Sequence, residues 1–125
     1  MFEKIYTDKA PNAIGPYSQA VKAGDFLYVS GQIGLNPETD EKAEGIEAQT
    51  KQVLDNLQAI LNEAGADFSQ VVKTTIYLHD MANFASVNEI YGTYFKEPYP
   101  ARACIEAGRL PRDVYVEMDV VAYLK

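Results

Sequence analysis

Apolar residues recur at two different spacings along the chain, and each spacing predicts a different kind of element. From Ile46 to Ala64 they return every three or four residues, which predicts a helix that Gly65 is placed to end. From Val71 to Leu78 apolar and polar residues alternate instead, which predicts a strand. One face of that strand would carry Val72, Thr74, Ile76 and Leu78.

A second helix is predicted between Asn83, which can cap its first turn, and the prolines Pro98 and Pro100, which cannot continue it. Its apolar residues recur at helical spacing and are interpreted as core; they are Phe84, Val87, Ile90, Tyr91, Tyr94 and Phe95. Asn88 interrupts this pattern on or near the apolar stripe.

Six segments have the composition and alternation of strands. They are residues 4–7, 20–22, 26–33, 71–78, 101–107 and 114–124. With the two helices, they predict an α+β domain that consists of one six-stranded sheet backed by two helices. The link at residues 108–113 would allow a hairpin between the last two strands, and it would equally allow the strand at 71–78 to lie between them.

The third strand contains a glycine that interrupts its alternation. The pattern places Leu27, Val29 and Ile33 on one face and Gln32 on the other. Gly31 leaves the backbone uncovered, which indicates either a β-bulge or a position that another group approaches closely.

Alternation in the last two strands groups three reactive side chains. The apolar set of one strand is Ala101, Ala103, Ile105 and Ala107, and that of the other is Val114, Val116, Met118, Val120, Ala122 and Leu124. If both sets face the helices, then Arg102, Cys104 and Glu117 share the far face of the sheet. That face also carries aromatic residues, so a second copy of the protein would be its natural cover.

The composition bounds the possible functions. The 125 residues fit a single domain over residues 1–125, and the net charge of −7 with no basic cluster argues against nucleic acid or an anionic membrane as partner. No stretch is apolar enough to span a membrane and no leader is visible, so a soluble, cytoplasmic protein is expected. With one cysteine and one histidine, a metal or haem site is not expected.

A charge within a near-apolar strand is costly unless it is paired or reserved for a ligand. The planar guanidinium of Arg102 suits a bidentate contact with a substrate carboxylate, whereas the alternative is a structural ion pair with Glu106, Glu117 or Asp119. Glu117 could activate a water molecule, or it could simply be the partner of Arg102.

Several motifs resemble the RidA family, also called YjgF/YER057c/UK114. They are Pro100-Ala101-Arg102-Ala103-Cys104-Ile105, Gly108-Arg109-Leu110-Pro111, Val116-Glu117-Met118, Ala13-Ile14-Gly15-Pro16-Tyr17-Ser18-Gln19-Ala20 and Val29-Ser30-Gly31-Gln32-Ile33. The resemblance runs from about residue 5 to the C-terminus. It departs from many relatives at Asp40-Glu41, where they have Gly-Glu, in a turn remote from the motif residues.

The resemblance implies a mixed sheet of the chorismate-mutase type, a homotrimer with its sites between subunits, and 2-iminobutanoate/2-iminopropanoate deaminase activity. Such enzymes hydrolyse reactive enamines and imines to 2-oxo acids and ammonia without a cofactor. By the same resemblance Arg102 binds the substrate and marks the active branch, and Tyr17, Ser30 and Asn88 line the cleft. Cys104 lacks an evident base, so we expect its backbone and that of Gly31 to face the substrate while the thiol only packs.

Two other functions compete with the deaminase. A non-catalytic, small-carboxylate-binding or regulatory trimer would use the same arginine and the same cleft. A ribonuclease or translation inhibitor, which some relatives have been called, is the least favoured, because the chain has no basic patch and no paired His/Lys constellation.

Overall fold

The computed structural model describes residues 1–125 and contains the eight predicted elements in the predicted order. The six strands are β1 (Glu3–Ile5), β2 (Ala20–Ala23), β3 (Phe26–Ile33), β4 (Val71–Leu78), β5 (Ala101–Glu106) and β6 (Val116–Tyr123). The two helices are α1 (Gly45–Glu63) and α2 (Phe84–Tyr94), and single 3₁₀ turns lie at Phe68–Gln70, Met81–Asn83 and Pro111–Asp113. The predicted α+β class is therefore confirmed. Neither helix has the length and apolar character needed to cross a membrane.

One mixed sheet with the order β1-β2-β3-β6-β4-β5 forms the body of the molecule. Strands β4 and β5 are parallel, and every other neighbouring pair is antiparallel. Parallel neighbours need a crossover connection, and α2 supplies it between β4 and β5. The sequence left two arrangements open for the last two strands. The structure has the one in which β4 lies between β5 and β6.

Both helices cover the same face of the sheet. The core between the two layers includes fully buried side chains from α1 and from the three central strands; they are Val53, Leu54, Leu57, Ile60, Leu61, Leu27, Ile76, Leu78, Val116 and Met118. Gly65, just past α1, has a φ of +77°, as expected for a glycine that ends a helix. Asn83 precedes α2, but its side chain makes no capping hydrogen bond, so that part of the prediction is wrong.

Two β-bulges change the faces predicted for β3 and β4. In β3 the register shifts between Val29 and Gln32, so Gln32 turns inward beside Val29 and is only 5% exposed. In β4 the register shifts between Val71 and Lys73, so Val71 is buried and Val72 is exposed. The prediction that Ile33 shares a face with Leu27 and Val29 is wrong, as is the prediction that Val72 shares a face with Thr74 and Ile76. Strict alternation does not allow for the extra residue of a bulge.

The face of the sheet opposite the helices is not covered by any element of the chain. It exposes large apolar side chains from three strands, namely Phe26, Tyr28, Ile105 and Tyr123. The Phe26 ring lies 5.2 Å from the Tyr123 ring and 6.4 Å from the Tyr28 ring, so these aromatic groups form one patch. We call this surface the open face.

Candidate functional site

Neutral groups hold the guanidinium of Arg102 beside α2. Its Nη1 donates a 2.7 Å hydrogen bond to Oδ1 of Asn88, and its central carbon lies 4.9 Å from the Tyr91 ring centroid and 5.6 Å from that of Phe84. Contacts at these distances are typical of cation–π packing. The guanidinium is thus oriented without being neutralised.

No carboxylate of the chain pairs with Arg102. The ion pairs of the structure join Arg109 to Asp113, Arg112 to Asp40 and Lys125 to Asp25. Glu106, one of the three partners considered from the sequence, accepts a hydrogen bond from the backbone N–H of Met81 instead. The structural ion-pair interpretation of Arg102 is therefore wrong within one chain.

A cavity of about 470 Å³ opens in front of Arg102, and we call it the arginine cavity. It is lined by Asn88, Tyr91, Gly92, Tyr99, Pro100 and Arg102. Its volume is in the range of small-molecule sites. It therefore has room for a small carboxylate in contact with the guanidinium.

Sequence reasoning missed two aromatic walls of the arginine cavity. The sequence predicts Tyr91 as a core residue, and the residue is indeed buried, with 5% of its surface exposed. Its ring also supports the guanidinium of Arg102, and its hydroxyl donates a hydrogen bond to Oγ1 of Thr74 at 3.1 Å. Tyr99, between Pro98 and Pro100, was not singled out; only the Pro-Tyr-Pro pattern could have marked it. Tyr94 is half-buried rather than core, and it bonds Asp55 of α1.

Arg102 and Glu117 lie on opposite faces of the sheet. Arg102 is the register partner of buried Thr74, on the helix side, and Cys104 follows the same face opposite Ile76. Glu117 is the register partner of Tyr77, which points to the open face. The predicted sharing of one face by Arg102, Cys104 and Glu117 is wrong. The reason is that β5 is an edge strand whose alanines and Ile105 lie on the uncovered side.

Glu117 packs against the bulge of β3. Its carboxyl group lies directly beside Gly31, so close that a Cβ at that position would overlap Oε2 and lie 3.0 Å from the carboxyl carbon. Burial, with a smaller contribution from the negative charge of Asp119, raises the pKa of Glu117 above its ordinary value of 4.5. A raised pKa brings a carboxylate closer to what a general base at neutral pH requires.

The carboxyl group of Glu117 occupies the space that a side chain at position 31 would fill. We expect Gly31→Ala to displace the Glu117 carboxyl group and to slow any reaction in which Glu117 acts as the base roughly 100-fold, the cost of a misplacement of about 1 Å. Gly108→Ala is the matched control, because no atom lies within 4 Å of its added Cβ. Thermal melts and steady-state rates of both variants check this. Wild-type activity in Gly31→Ala would contradict the close packing of the two groups.

A second cavity, of about 370 Å³, opens beside this bulge, and we call it the loop cavity. Its lining includes Tyr17 and Gly31 together with Ile14, Gln19 and Arg112. Ser30 lies on the same bulge, and its hydroxyl donates to the backbone oxygen of Ser18 at 2.6 Å. The sequence-predicted residues thus form two groups, with Arg102, Asn88 and Cys104 in one and Tyr17, Ser30, Gly31 and Glu117 in the other.

The thiol of Cys104 does not have the environment of a nucleophile. It is half-buried, and burial raises its pKa, although the charge of Arg102 offsets part of that effect. We expect Cys104→Ala to keep the rate of any reaction at this site within about threefold of the wild type, since a thiol without a catalytic role contributes only packing. Steady-state rates check this, and complete loss of activity with an unchanged melting temperature would contradict it.

Comparison with protein families assigns nearly the whole chain to one of them. The family described as Endoribonuclease L-PSP matches residues 7–124. The chain belongs to this family. Its relatives and solved structures carry the names RutC, RidA and YjgF, so the membership expected from the sequence motifs is confirmed.

Two relatives are similar to almost the whole of this chain. A RutC family protein of Pyrococcus abyssi is 54% identical over 122 residues, which is 97% of this chain and 96% of the relative. Reactive Intermediate Deaminase A of Arabidopsis thaliana, a chloroplastic protein, is 50% identical over 123 residues, which is 98% of this chain and 66% of the plant protein. The family therefore includes a reactive intermediate deaminase.

Solved structures confirm the fold. RidA from an Antarctic Psychrobacter matches with a TM-score of 0.95 and 46% identity, covering 97% of this chain and 98% of that one. TdcF of Escherichia coli, solved with bound serine, matches with a TM-score of 0.93 and 38% identity over the same fractions. The predicted single mixed sheet with two helices on one face is thus the fold of this family.

Proposed function

We propose that the protein hydrolyses small 2-imino acids, with 2-iminobutanoate and 2-iminopropanoate as substrates, to 2-oxo acids and ammonia. The observation that carries this proposal is the guanidinium of Arg102, which neutral groups orient toward a cavity and no carboxylate neutralises. A 2-imino acid carries the missing carboxylate next to its reactive C=N carbon. One bidentate contact therefore fixes the reacting carbon as well.

The chemistry needs one base and one water molecule. In the proposed reaction the oxygen of water attacks C2 of the imine while Glu117 accepts the proton of the water. The imine nitrogen takes up this proton, which gives a neutral carbinolamine. As the C–N bond of the carbinolamine breaks and its C=O bond forms, the hydroxyl proton passes through Glu117 to the departing nitrogen, and ammonia leaves a 2-oxo acid. The raised pKa of Glu117 suits a group that takes and returns a proton near neutral pH.

The proposed enzyme is a ring of three subunits. Arg102 and Glu117 occupy opposite faces of one sheet, so one chain cannot apply both to one substrate. A site made from the arginine side of one subunit and the glutamate side of the next uses two different surfaces, and such heterologous contacts close into rings rather than two-fold dimers. The aromatic patch of the open face supplies apolar area for this contact.

Ammonia release tests the activity. A PLP-dependent threonine dehydratase would generate 2-iminobutanoate in place, and the protein should accelerate the formation of ammonia and 2-oxobutanoate above the spontaneous rate. Binding of 2-oxobutanoate without acceleration would favour the non-catalytic carboxylate-binding trimer, an alternative supported by the serine bound in TdcF. Cleavage of RNA would favour the activity in the family description, against which the net charge of −7 argues.

Subunit complementation tests the assembly. Arg102→Lys and Glu117→Gln proteins, each expected to be at least roughly 100-fold less active than the wild type, would be unfolded together and refolded. If each site takes its arginine and glutamate from different subunits, about a quarter of the sites in a random mixture regain both native groups. Activity near that fraction is expected. A mixture as inactive as its parents would show that both groups act from one chain.

A further inference from the structure

Gln19 is a buried amide that the proposed mechanism does not use. It ends the Gly15-Pro16-Tyr17-Ser18-Gln19 motif and is the last residue of the long connection from β1 to β2, yet it is only 2% exposed. A connecting loop ordinarily runs over the protein surface and presents its polar side chains to solvent. The burial of Gln19 therefore indicates a specific task within the loop.

The side chain of Gln19 satisfies the backbone at the start of that loop. Its Oε1 accepts from the N–H of Thr7 at 2.8 Å, and its Nε2 donates to the carbonyl oxygens of Thr7 at 3.0 Å and of Pro11 at 2.8 Å. Thr7 is itself buried, and so is Ala10, whose carbonyl oxygen lies 3.4 Å from the same Nε2, so these backbone groups have little access to water. An unpaired buried peptide group is costly, and one carboxamide prevents several of them.

The backbone of the same residue is joined to the site. The carbonyl oxygen of Gln19 accepts from the N–H of Ser30 at 2.9 Å, and the adjacent Ser18 carbonyl accepts from the Ser30 hydroxyl at 2.6 Å. Ser30 and Gly31 form the bulge against which Glu117 packs. Gln19 thus joins two segments that are distant in sequence, the turn at residues 7–11 and the bulge.

Tyr17 lies between these two fixed points. The residue is 53% exposed and lines the loop cavity with Gly31, and its backbone N–H donates to the carbonyl of Gly15 at 2.9 Å. Gly15 has a φ of +121°, a conformation that favours glycine. The position of the Tyr17 side chain is therefore determined by the backbone on either side of it. The carboxamide of Gln19 holds the start of the loop, and the backbone carbonyl of the same residue holds its end against Ser30.

We propose that Gln19 is a positioning residue: it fixes the Tyr17 loop against the Ser30–Gly31 bulge and so sets the distance between the Tyr17 hydroxyl and the carboxylate of Glu117. The part of this inference that concerns catalysis rests on the proposed function. The part that concerns loop position does not. Each part has its own measurement.

Loop position can be followed by fluorescence, because the chain contains no tryptophan. Tyr17→Trp places a single reporter at an exposed position. Adding Gln19→Leu should shift its emission and raise its quenching by acrylamide, because the loop loses its anchor. Gln49→Leu is the matched control: Gln49 is also 2% exposed and also bonds two backbone groups, those of Ala43 and Tyr115, but it does not contact the Tyr17 loop.

An unchanged emission in the Gln19→Leu protein would overturn the inference, as would an equal change in the Gln49→Leu protein, since the effect would then be general destabilisation. Should Gln19→Leu not fold, Gln19→Asn, which keeps the amide but is shorter by one methylene, enters the same comparison. This measurement is independent of any activity. Its outcome therefore stands even if the proposed function fails.

The catalytic part is tested by a double-mutant cycle with Tyr17→Phe. Gln19→Leu should lower kcat about tenfold in the wild-type background, which corresponds to about 1.4 kcal/mol, and by less than about twofold in the Tyr17→Phe background. The loss of thermal stability should be the same in both backgrounds. If Gln19→Leu lowered kcat by the same factor in both backgrounds, the positioning role through Tyr17 would be overturned. The Kd for 2-oxobutanoate in the same four proteins gives the cycle a second readout.

Discussion

Replacement of Arg102 by lysine should lower kcat/KM for 2-iminobutanoate roughly 100-fold, because an ammonium group keeps the charge but loses the planar fork. The ammonium would also lose the stacking on Tyr91 that orients the guanidinium. The melting temperature should change by only a few degrees, since Arg102 is exposed and its single side-chain hydrogen bond goes to a neutral amide. Steady-state rates and thermal melts check both statements.

Arg109→Lys is the matched control for this substitution. Arg109 lies on the link after β5, its side chain is 83% exposed, and it pairs with Asp113 outside both cavities. Exposed pairs contribute little to stability, so this variant should behave as the wild type in both measurements. If Arg102→Lys also kept full activity, Arg102 would not be the carboxylate anchor and the proposed site would be wrong.

Glu117→Gln should lower kcat by a factor of roughly 100 to 10,000 while it raises thermal stability at neutral pH. The amide preserves the shape that packs beside Gly31 but cannot accept a proton from water. The gain in stability follows from the raised pKa, because burial and the charge of Asp119 disfavour the ionised carboxylate in the folded chain. A function that requires a buried ionised carboxylate therefore lowers the stability of the folded protein.

The sign of the pH dependence follows from the same shift. Below the ordinary value of 4.5 the carboxyl is protonated in the folded and in the unfolded chain, so the wild type and Glu117→Gln should have matching melting temperatures. As the pH rises through the higher pKa of the folded state, the wild type loses stability relative to the variant. Wild-type activity should instead increase over that same range, because the base must be ionised. Melting curves and kcat/KM across this range check both trends.

Asp119→Asn tests whether Glu117 is the group whose ionisation causes the acid limb of the pH profile. Removing the negative charge of Asp119 should lower the pKa of Glu117 and move the acid limb of kcat/KM to lower pH, with little change in activity at neutral pH. Asp119 also accepts a 3.0 Å hydrogen bond from Tyr77, so the stability of this variant must be measured as well. An acid limb that stays in place would assign it to a group other than Glu117.

Local spacing was sufficient to locate the elements, because helices and strands impose their periods on neighbouring residues. The bounds of β3 and β4 agree with the predicted 26–33 and 71–78, and α1 differs from its prediction by one residue at each end. The errors fall where one residue is added to a strand, at Gly31 and Val72. A bulge changes the face of the side chains before it relative to those after it, and its position depends on the partner strand.

For the site as for the fold, the sequence showed which residues matter but not where they lie relative to one another. The types of the reactive residues, an arginine and a glutamate in otherwise apolar strands, could be identified from the chain alone. Their relative placement could not, because the face of β5 depends on its position at the edge of the sheet. There, alanines tolerate exposure while the arginine folds back onto α2. The supporting ring of Tyr91 was hidden because a residue can be core on one side and cavity wall on the other.

The sequence by itself thus determined the α+β class, the order of eight elements, the family, and the residues that carry charge into apolar strands. Tertiary structure alone decided that Arg102 and Glu117 stand on opposite faces of one sheet and that two cavities, rather than one, receive the motif residues. The physical reason is range. Hydrophobic periodicity acts between residues a few positions apart, whereas strand order, bulges and cavities arise from contacts between segments that are far apart in the chain.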